Sequence, residues 1–306
     1  MPLVSLGTLV WVRTHLLLPT LLALGILGCS SAPTTPAPAP QVLTPLPTPT
    51  SPPEPEPGQL FEETRDVGCL RHAALPHLIN ETGRRPNLRR PFGTSTSGHT
   101  LWVEQWGDLS GPQVLVLTQV HGDECGGLLL AEAIRTHPPV GYGIWLVPTL
   151  NPDGATAFTR RTATNVDLNR DGLELTQPET RALMQLTIEV EPVLTLHVHS
   201  PYGWVGFYGG SIANRVATEL STQVYAAPAR YAGDGYGFLW EGQARALPAH
   251  PSVLLEFPAL FGEEAASAPL RAERRSTDLP TLRTMTLEVL EVLNSIIPST
   301  AAAVHP

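Results

Sequence analysis

The stretch "PQVLVLTQVHGDECGG", residues 112–127, joins an unbroken aliphatic run to a short polar turn that ends in two glycines. A run of that kind, with no polar alternation, is the signature of a strand covered on both faces. The residues that follow, "GGLLLAEAIRTH" (126–137), have the spacing and length of a helix. Strand, polar turn and helix in succession are the repeating unit of an α/β sheet, in which ligands collect beyond the carboxyl ends of the strands. His121 and Glu124 fall at such an end, three positions apart. Alone, the pair is equally readable as the rim of a loop, so a metal reading needs a third ligand.

The same unit recurs down the chain. "TLWVEQWG" (100–107) alternates as a half-buried strand does, and "YGIWLVPTLN" (142–151), "PVLTLHVHS" (192–200) and "PSVLLEFP" (251–258) read as further strands. Helices are predicted at "PETRALMQLTIEVE" (178–191), which carries proline in its first turn, at "NRVATELSTQVY" (214–225) and at "LPTLRTMTLEVLEVLNSI" (279–296). Alternating strands and helices over residues 59–298 predict one three-layer α/β/α domain with a mostly parallel, doubly covered sheet. Parallel strands bring "HGDE" (121–124), "NPDG" (151–154), "HVHS" (197–200) and "EFP" (256–258) to one edge of that sheet.

Composition narrows the chemistry. A formal net charge of −9 argues against a nucleic-acid partner, which requires concentrated cations. The chain contains no lysine, which excludes a P-loop lysine, a Schiff base and a Ser-Lys dyad. Any carboxylate clamp is therefore a guanidinium, able to bind both oxygens at once. The 32 prolines are about twice the usual share, and many lie in residues 30–58.

That segment follows an apolar run, "LLLPTLLALGIL" (16–27), preceded by Arg13 and too short for a comfortable membrane span. The run closes on "ILGCSS" (26–31), which resembles the lipobox of bacterial lipoproteins, whose cysteine becomes the lipidated first residue. Residues 1–28 are thus expected to be a signal peptide of lipoprotein type, Cys29 a lipidation site, and residues 29–58 an extended polyproline tether. The expected location is the bacterial cell envelope, facing the periplasm or the outer surface and held by the lipid anchor. Residues 299–306 are expected to be a tail. Cys69 and Cys125 could pair in an oxidising compartment, but their spacing carries no motif.

The third metal ligand has two candidates, His197 and His199, which share a strand face. His199 lies nearer the carboxyl end of its strand and is preferred. Between the halves, "RRTATNVDLNR" (160–170) gathers arginines, asparagines and an aspartate into a polar loop. Arg170 with Asn169 could bind a substrate carboxylate, Arg160 could polarise a scissile carbonyl, and Asp167 could accept the free ring N–H of a ligand histidine. Glu256, an acid set in an aliphatic strand, is costly unless it is paired or used. Beside a metal it could take a proton from the attacking water and return it to a leaving amine.

In this order, "HGDE", "NPDG", "RRTATNVDLNR", "HSPYG" and "LEFP" resemble the zinc carboxypeptidases, and in particular their small bacterial branch of murein peptide amidases. The resemblance covers most of residues 110–260. It implies a mixed eight-stranded sheet between helices and one zinc per chain on His121, Glu124 and His199. It also implies Glu256 as general base, Asn169 and Arg170 as receivers of the substrate's carboxylate, and Arg160, or its neighbour Arg161, as the carbonyl-polarising arginine. The chain departs from the family where "DLNRNF" becomes "DLNRDG", and only Tyr236 in "GDGYGF" offers itself as a capping tyrosine. The expectation is a monomeric hydrolase, a carboxypeptidase or amidase. It cleaves a peptide or γ-D-glutamyl-diaminopimelate bond next to a free carboxylate, on murein peptides. The alternatives are an N-acyl amino acid deacylase of the aspartoacylase and succinylglutamate desuccinylase type, which shares similar motifs, and a muropeptide-binding lipoprotein without turnover.

Overall fold

A computed structural model describes residues 84–225, 229–231, 235–247, 250–260, 276–277 and 279–300. The signal segment, Cys29, the tether and Cys69 lie outside the described residues, as does the end of the chain beyond Thr300. Among the described residues no helix is long and apolar enough to cross a membrane.

The chain opens with a hairpin of β1 (Leu88–Thr94) and β2 (Thr100–Gly107), then enters β3 (Gln113–Leu117) and α1 (Gly126–Thr136). Next come β4 (Gly143–Val147), the short α2 (Pro152–Ala157), a 3-10 turn at Leu168–Arg170, and α3 (Pro178–Val190). The second half runs β5 (Leu194–His199), β6 (Tyr202–Tyr208), α4 (Ser211–Gln223), β7 (Arg230–Tyr231), α5 (Leu239–Ala246), β8 (Ser252–Leu260), β9 (Ser276–Thr277) and α6 (Leu279–Ile296). A closing 3-10 turn, Ile297–Thr300, reaches two residues past the expected domain end at 298.

The sheet order is β1-β2-β4-β3-β5-β8-β6-β7, with β9 paired to β8. The four central strands β4, β3, β5 and β8 are parallel, whereas β2 meets β4, and β6 meets β8, in antiparallel register. The sheet is therefore mixed, as expected, but its strand count differs from eight. Among the described residues seven strands are five residues or longer, and β7 and β9 have two residues each.

Alternation along the strands divides the core. Val114, Val116, Leu196, Val198, Val253 and Leu255 pack with residues of α1, α4 and α6 on one face. Leu115, Leu117 and Val147 pack with Leu183 and Leu186 of α3 and Leu239 of α5 on the other. This second face also receives His199 and Glu256, because they alternate with the residues of the first cluster. β3 is followed in the chain by β4 on one side of it, while β5 lies on its other side. The chain thus switches direction between β3 and β5, and the crevice at their carboxyl ends is where such sheets place ligands.

A buried ion pair joins β2 to α1. Glu104 on β2 accepts from Arg135 of α1 at 2.9 and 2.6 Å and from the Trp106 indole at 2.9 Å. Burial opposes the Glu104 charge, but Arg135 outweighs it and holds the carboxyl below its ordinary value. Arg135→Leu leaves that carboxylate buried without its hydrogen-bonded cation, with only the weaker pull of Arg89 remaining, so it is expected to cost ~3–5 kcal/mol in denaturant unfolding. The double replacement with Glu104→Leu should recover much of the loss. Equal stability of wild type and Arg135→Leu would contradict this account.

Candidate functional site

His121 and Glu124 lie in the turn after β3, and His199 ends β5 next to it. The turn is tight for a reason visible in its glycine. A Cβ on Gly122 would lie 1.9 Å from the backbone carbon of Gly154, so "HGDE" and "NPDG" are in direct backbone contact. Asn151 caps α2 by accepting from the Gly154 N–H at 2.9 Å, and its amide donates to the Arg160 carbonyl at 3.3 Å. The turn sequence after β4 thereby fixes the start of the arginine-bearing loop.

Within the crevice, His121 Nδ1 meets one Glu124 oxygen at 2.6 Å, His199 Nδ1 meets the other at 2.8 Å, and the two ring nitrogens are 3.1 Å apart. All three residues are buried, and one ligand atom from each lies within 4.8 Å of the others. Two imidazole nitrogens and a carboxylate form a donor set that suits a catalytic zinc, which keeps a further position open. His121 turns its other nitrogen, Nε2, to Asp167 at 3.0 Å, an outer partner of the kind that orients a ligating histidine. Asp167 also accepts from the Asn169 N–H at 2.9 Å and from Arg160 Nε at 3.0 Å. Arg160 Nη1 reaches His121 Nδ1 at 3.1 Å and Glu124 at 3.3 Å, whereas Arg161 is exposed and donates to the Asn165 carbonyl.

His197 takes no part in the cluster. It sits two residues deeper in β5, buried and edge-on to the Trp240 ring, and burial lowers its pKa to about 3. Glu256 stands in register with His199 on the neighbouring parallel strand. It is buried, its Oε2 has no partner among the described residues, and burial, reinforced by Glu124, pushes its carboxyl well above the ordinary range. Asn169 is buried and Arg170 exposed at the end of the same turn. Cys125, beside Glu124, is disulfide-bonded.

Two further groups in the site were not singled out by the sequence. Asp171, the first residue of the departure "DG", accepts from the backbone of Thr176 and Gln177 at 2.8 and 2.9 Å and from the Thr180 hydroxyl at 2.5 Å. It ties the turn to the start of α3. Phe238 lies under Arg170, whose guanidinium carbon is 4.5 Å from the ring centre. Tyr236 is 67% exposed, with its ring 5.5 Å from Phe238. The sequence signal for Asp171 was its position before "LTQPET" at a helix start. For Phe238 there was none beyond an aromatic-rich turn.

Metal affinity should depend on pH with a definite sign. Burial opposes a charge on His121, but Glu124 and Asp167 outweigh it and hold the ring at about 9, while burial keeps the His199 pKa low. A metal must displace the His121 proton, so affinity is expected to rise about tenfold per pH unit up to about pH 9. Competition titrations against a chelator across that window would check it. A flat profile would contradict it.

No protein-family model matches the chain. Among curated proteins, carboxypeptidase SOL1 of Arabidopsis thaliana is 37% identical over 121 residues, a stretch that is 30% of this chain and 25% of that relative's length. Among solved structures, a metallo-carboxypeptidase from Burkholderia cenocepacia superposes with TM-score 0.53 at 14% identity, covering 76% of this chain and 69% of that one. Carboxypeptidase A from Helicoverpa armigera gives TM-score 0.53 at 17% identity, covering 76% and 72%. Identities this low speak for architecture alone. The architecture of this chain is thus similar to that of the metallo-carboxypeptidases.

Proposed function

We propose that the chain is a zinc-dependent peptide hydrolase that cuts the bond next to a free carboxylate, with murein peptides as its substrates. The observation that carries this reading is the buried convergence of His121, Glu124 and His199 with Glu256 in register beside them. One zinc per chain would supply Lewis-acid polarisation of the scissile carbonyl. The chain's own residues do the rest. Glu256 takes a proton from the attacking water and returns it to the leaving amine. Arg160, within 3.3 Å of Glu124, brings a cation to the cluster, where it stabilises charge developing on the carbonyl oxygen. Asn169 and Arg170 receive the substrate's carboxylate, Arg170 through its planar fork.

A murein substrate is supported by the motif order and by the apparent export signal with its lipobox-like Cys29, which suit an enzyme tethered in the cell envelope. The test is mass spectrometry of a purified muropeptide mixture before and after incubation with zinc-loaded protein. The expected change is cleavage at the γ-D-glutamyl-diaminopimelate bond. Hydrolysis of N-acyl amino acids in its place would point to a deacylase. Binding of muropeptides without cleavage would point to a protein that has lost turnover.

A further inference from the structure

We infer that Phe238 is a positioning residue for Arg170, carrying the guanidinium on its ring so that the N–H edges stay turned to a substrate carboxylate. This rests on the reading of Arg170 as a carboxylate receiver given above. The Arg170 guanidinium carbon is 4.5 Å from the centre of the Phe238 ring, over its face. A guanidinium is weakly hydrated across its plane and carries all five of its donors in that plane. Stacking thus occupies the face and leaves the edges. One edge donor, Nη1, goes to the Asn169 carbonyl at 2.7 Å. Among the described residues no carboxylate bonds to Arg170, and the residue is exposed at the end of the turn that carries Asn169.

The ring is a fixed support rather than a chance neighbour. Phe238 stacks on the buried Trp240 with ring centres 4.1 Å apart and planes 22° from parallel. Its backbone is docked on the segment that bears Arg170. The Gly172 N–H donates to the Gly237 carbonyl at 2.8 Å, and Leu239 donates to Asn169 Oδ1 at 3.4 Å. A Cβ on Gly172 would lie 2.0 Å from the Phe238 carbonyl oxygen, so the contact requires glycine there. The Glu241 carboxylate closes the turn by accepting from the N–H groups of Tyr236 and Gly237, each at 3.1 Å. Here the departure from "DLNRNF" finds its use: glycine at position 172 lets the aromatic turn approach the arginine from below.

The test compares a peptide ending in a free carboxylate with the same peptide as its amide, using zinc-loaded protein. Phe238→Leu is expected to raise KM for the acid about fivefold, with kcat and the amide substrate little changed, and Phe238→Tyr to restore KM to within about twofold. Calorimetric binding of the two peptides to the Glu256→Gln protein, with and without Phe238→Leu, should show the same loss for the acid only. A merely structural role would depress both substrates alike and would not be rescued by tyrosine; that pattern, or an unchanged acid-over-amide preference in Phe238→Leu, overturns the proposal. If Arg170→Ala removes the preference and Phe238→Leu does not, only this inference fails. If wild type shows no preference for the acid, the reading of Arg170 fails and takes the inference with it.

Discussion

Replacing Glu256 by glutamine is expected to lower kcat about a thousandfold while the protein stays folded and binds zinc as before. The reason lies in what the substitution keeps. Glutamine has nearly the volume of glutamate, so the packing of β8 against β5 and β6 is undisturbed, and Glu256 is not among the three residues whose ligand atoms converge. What is lost is a proton acceptor. Burial raises the Glu256 carboxyl well above its ordinary range, and the nearby Glu124 raises it further, which brings it toward the pH at which a group both accepts and returns a proton. The Tyr202 backbone donates to this carboxyl, but its Oε2 has no bond among the described residues and stays available to a ligand at this depth. Peptide hydrolysis rates, metal content and thermal unfolding measured on one preparation separate the outcomes. Full activity in Glu256→Gln would remove the general base from the mechanism. Loss of folding would make the acid structural.

How far the sequence carried this picture depended on where the hydrophobic pattern was strong. The parallel centre was legible because β3, β5 and β8 are covered on both faces and read as aliphatic runs, and their polar ends stood out against them. The edges were not. β1 is "LRRPFGT", an outer strand with a proline and paired arginines whose residues are at most half-buried, and it shows no apolar alternation. β6, "YGWVGFY", is broken by two glycines. α5 carries Gly242 in its interior, a residue that reads as a helix breaker but is needed because a Cβ there would meet the Gly172 carbonyl at 2.1 Å.

The same logic divides the site. Strand parity put His197 and His199 on one face, and only the place of His199 nearer the carboxyl end of its strand separated them; in register His199 lies opposite Glu256 and His197 opposite Leu254. The choice between Arg160 and Arg161 was beyond the sequence, because adjacent arginines in an irregular loop follow no period. Backbone contacts such as Gly122 on Gly154, and the seating of Phe238 beneath Arg170, join segments far apart in the chain through atoms every residue possesses. Composition carries no trace of them.

The second large effect is expected at Glu124. Glu124→Gln should weaken zinc binding by at least about a hundredfold, with hydrolysis falling in proportion to the metal lost. Loss of an outer-shell partner alone commonly costs ten- to a hundredfold, and Glu124 stands inside the cluster. Its two oxygens face the two imidazole Nδ1 atoms at 2.6 and 2.8 Å, so it is at once the third donor and the counter-charge between the rings. A carboxamide has one oxygen, no charge, and an NH2 group that must point toward one ring or the other. The titration of His121 offers a second reading of the same change. Against the opposing effect of burial, Glu124 is the strongest of the groups that raise this ring to about 9. Without it the ring should lose its proton at lower pH, and the pH at which zinc affinity stops rising should fall with it. Asp167 remains in place and limits how far that fall can go. Glu124→Gln and Glu256→Gln are therefore opposites: the first loses metal and activity together, the second loses activity with metal retained. Tight zinc binding by Glu124→Gln, with the His121 titration unmoved, would mean that this cluster is not where the ion sits.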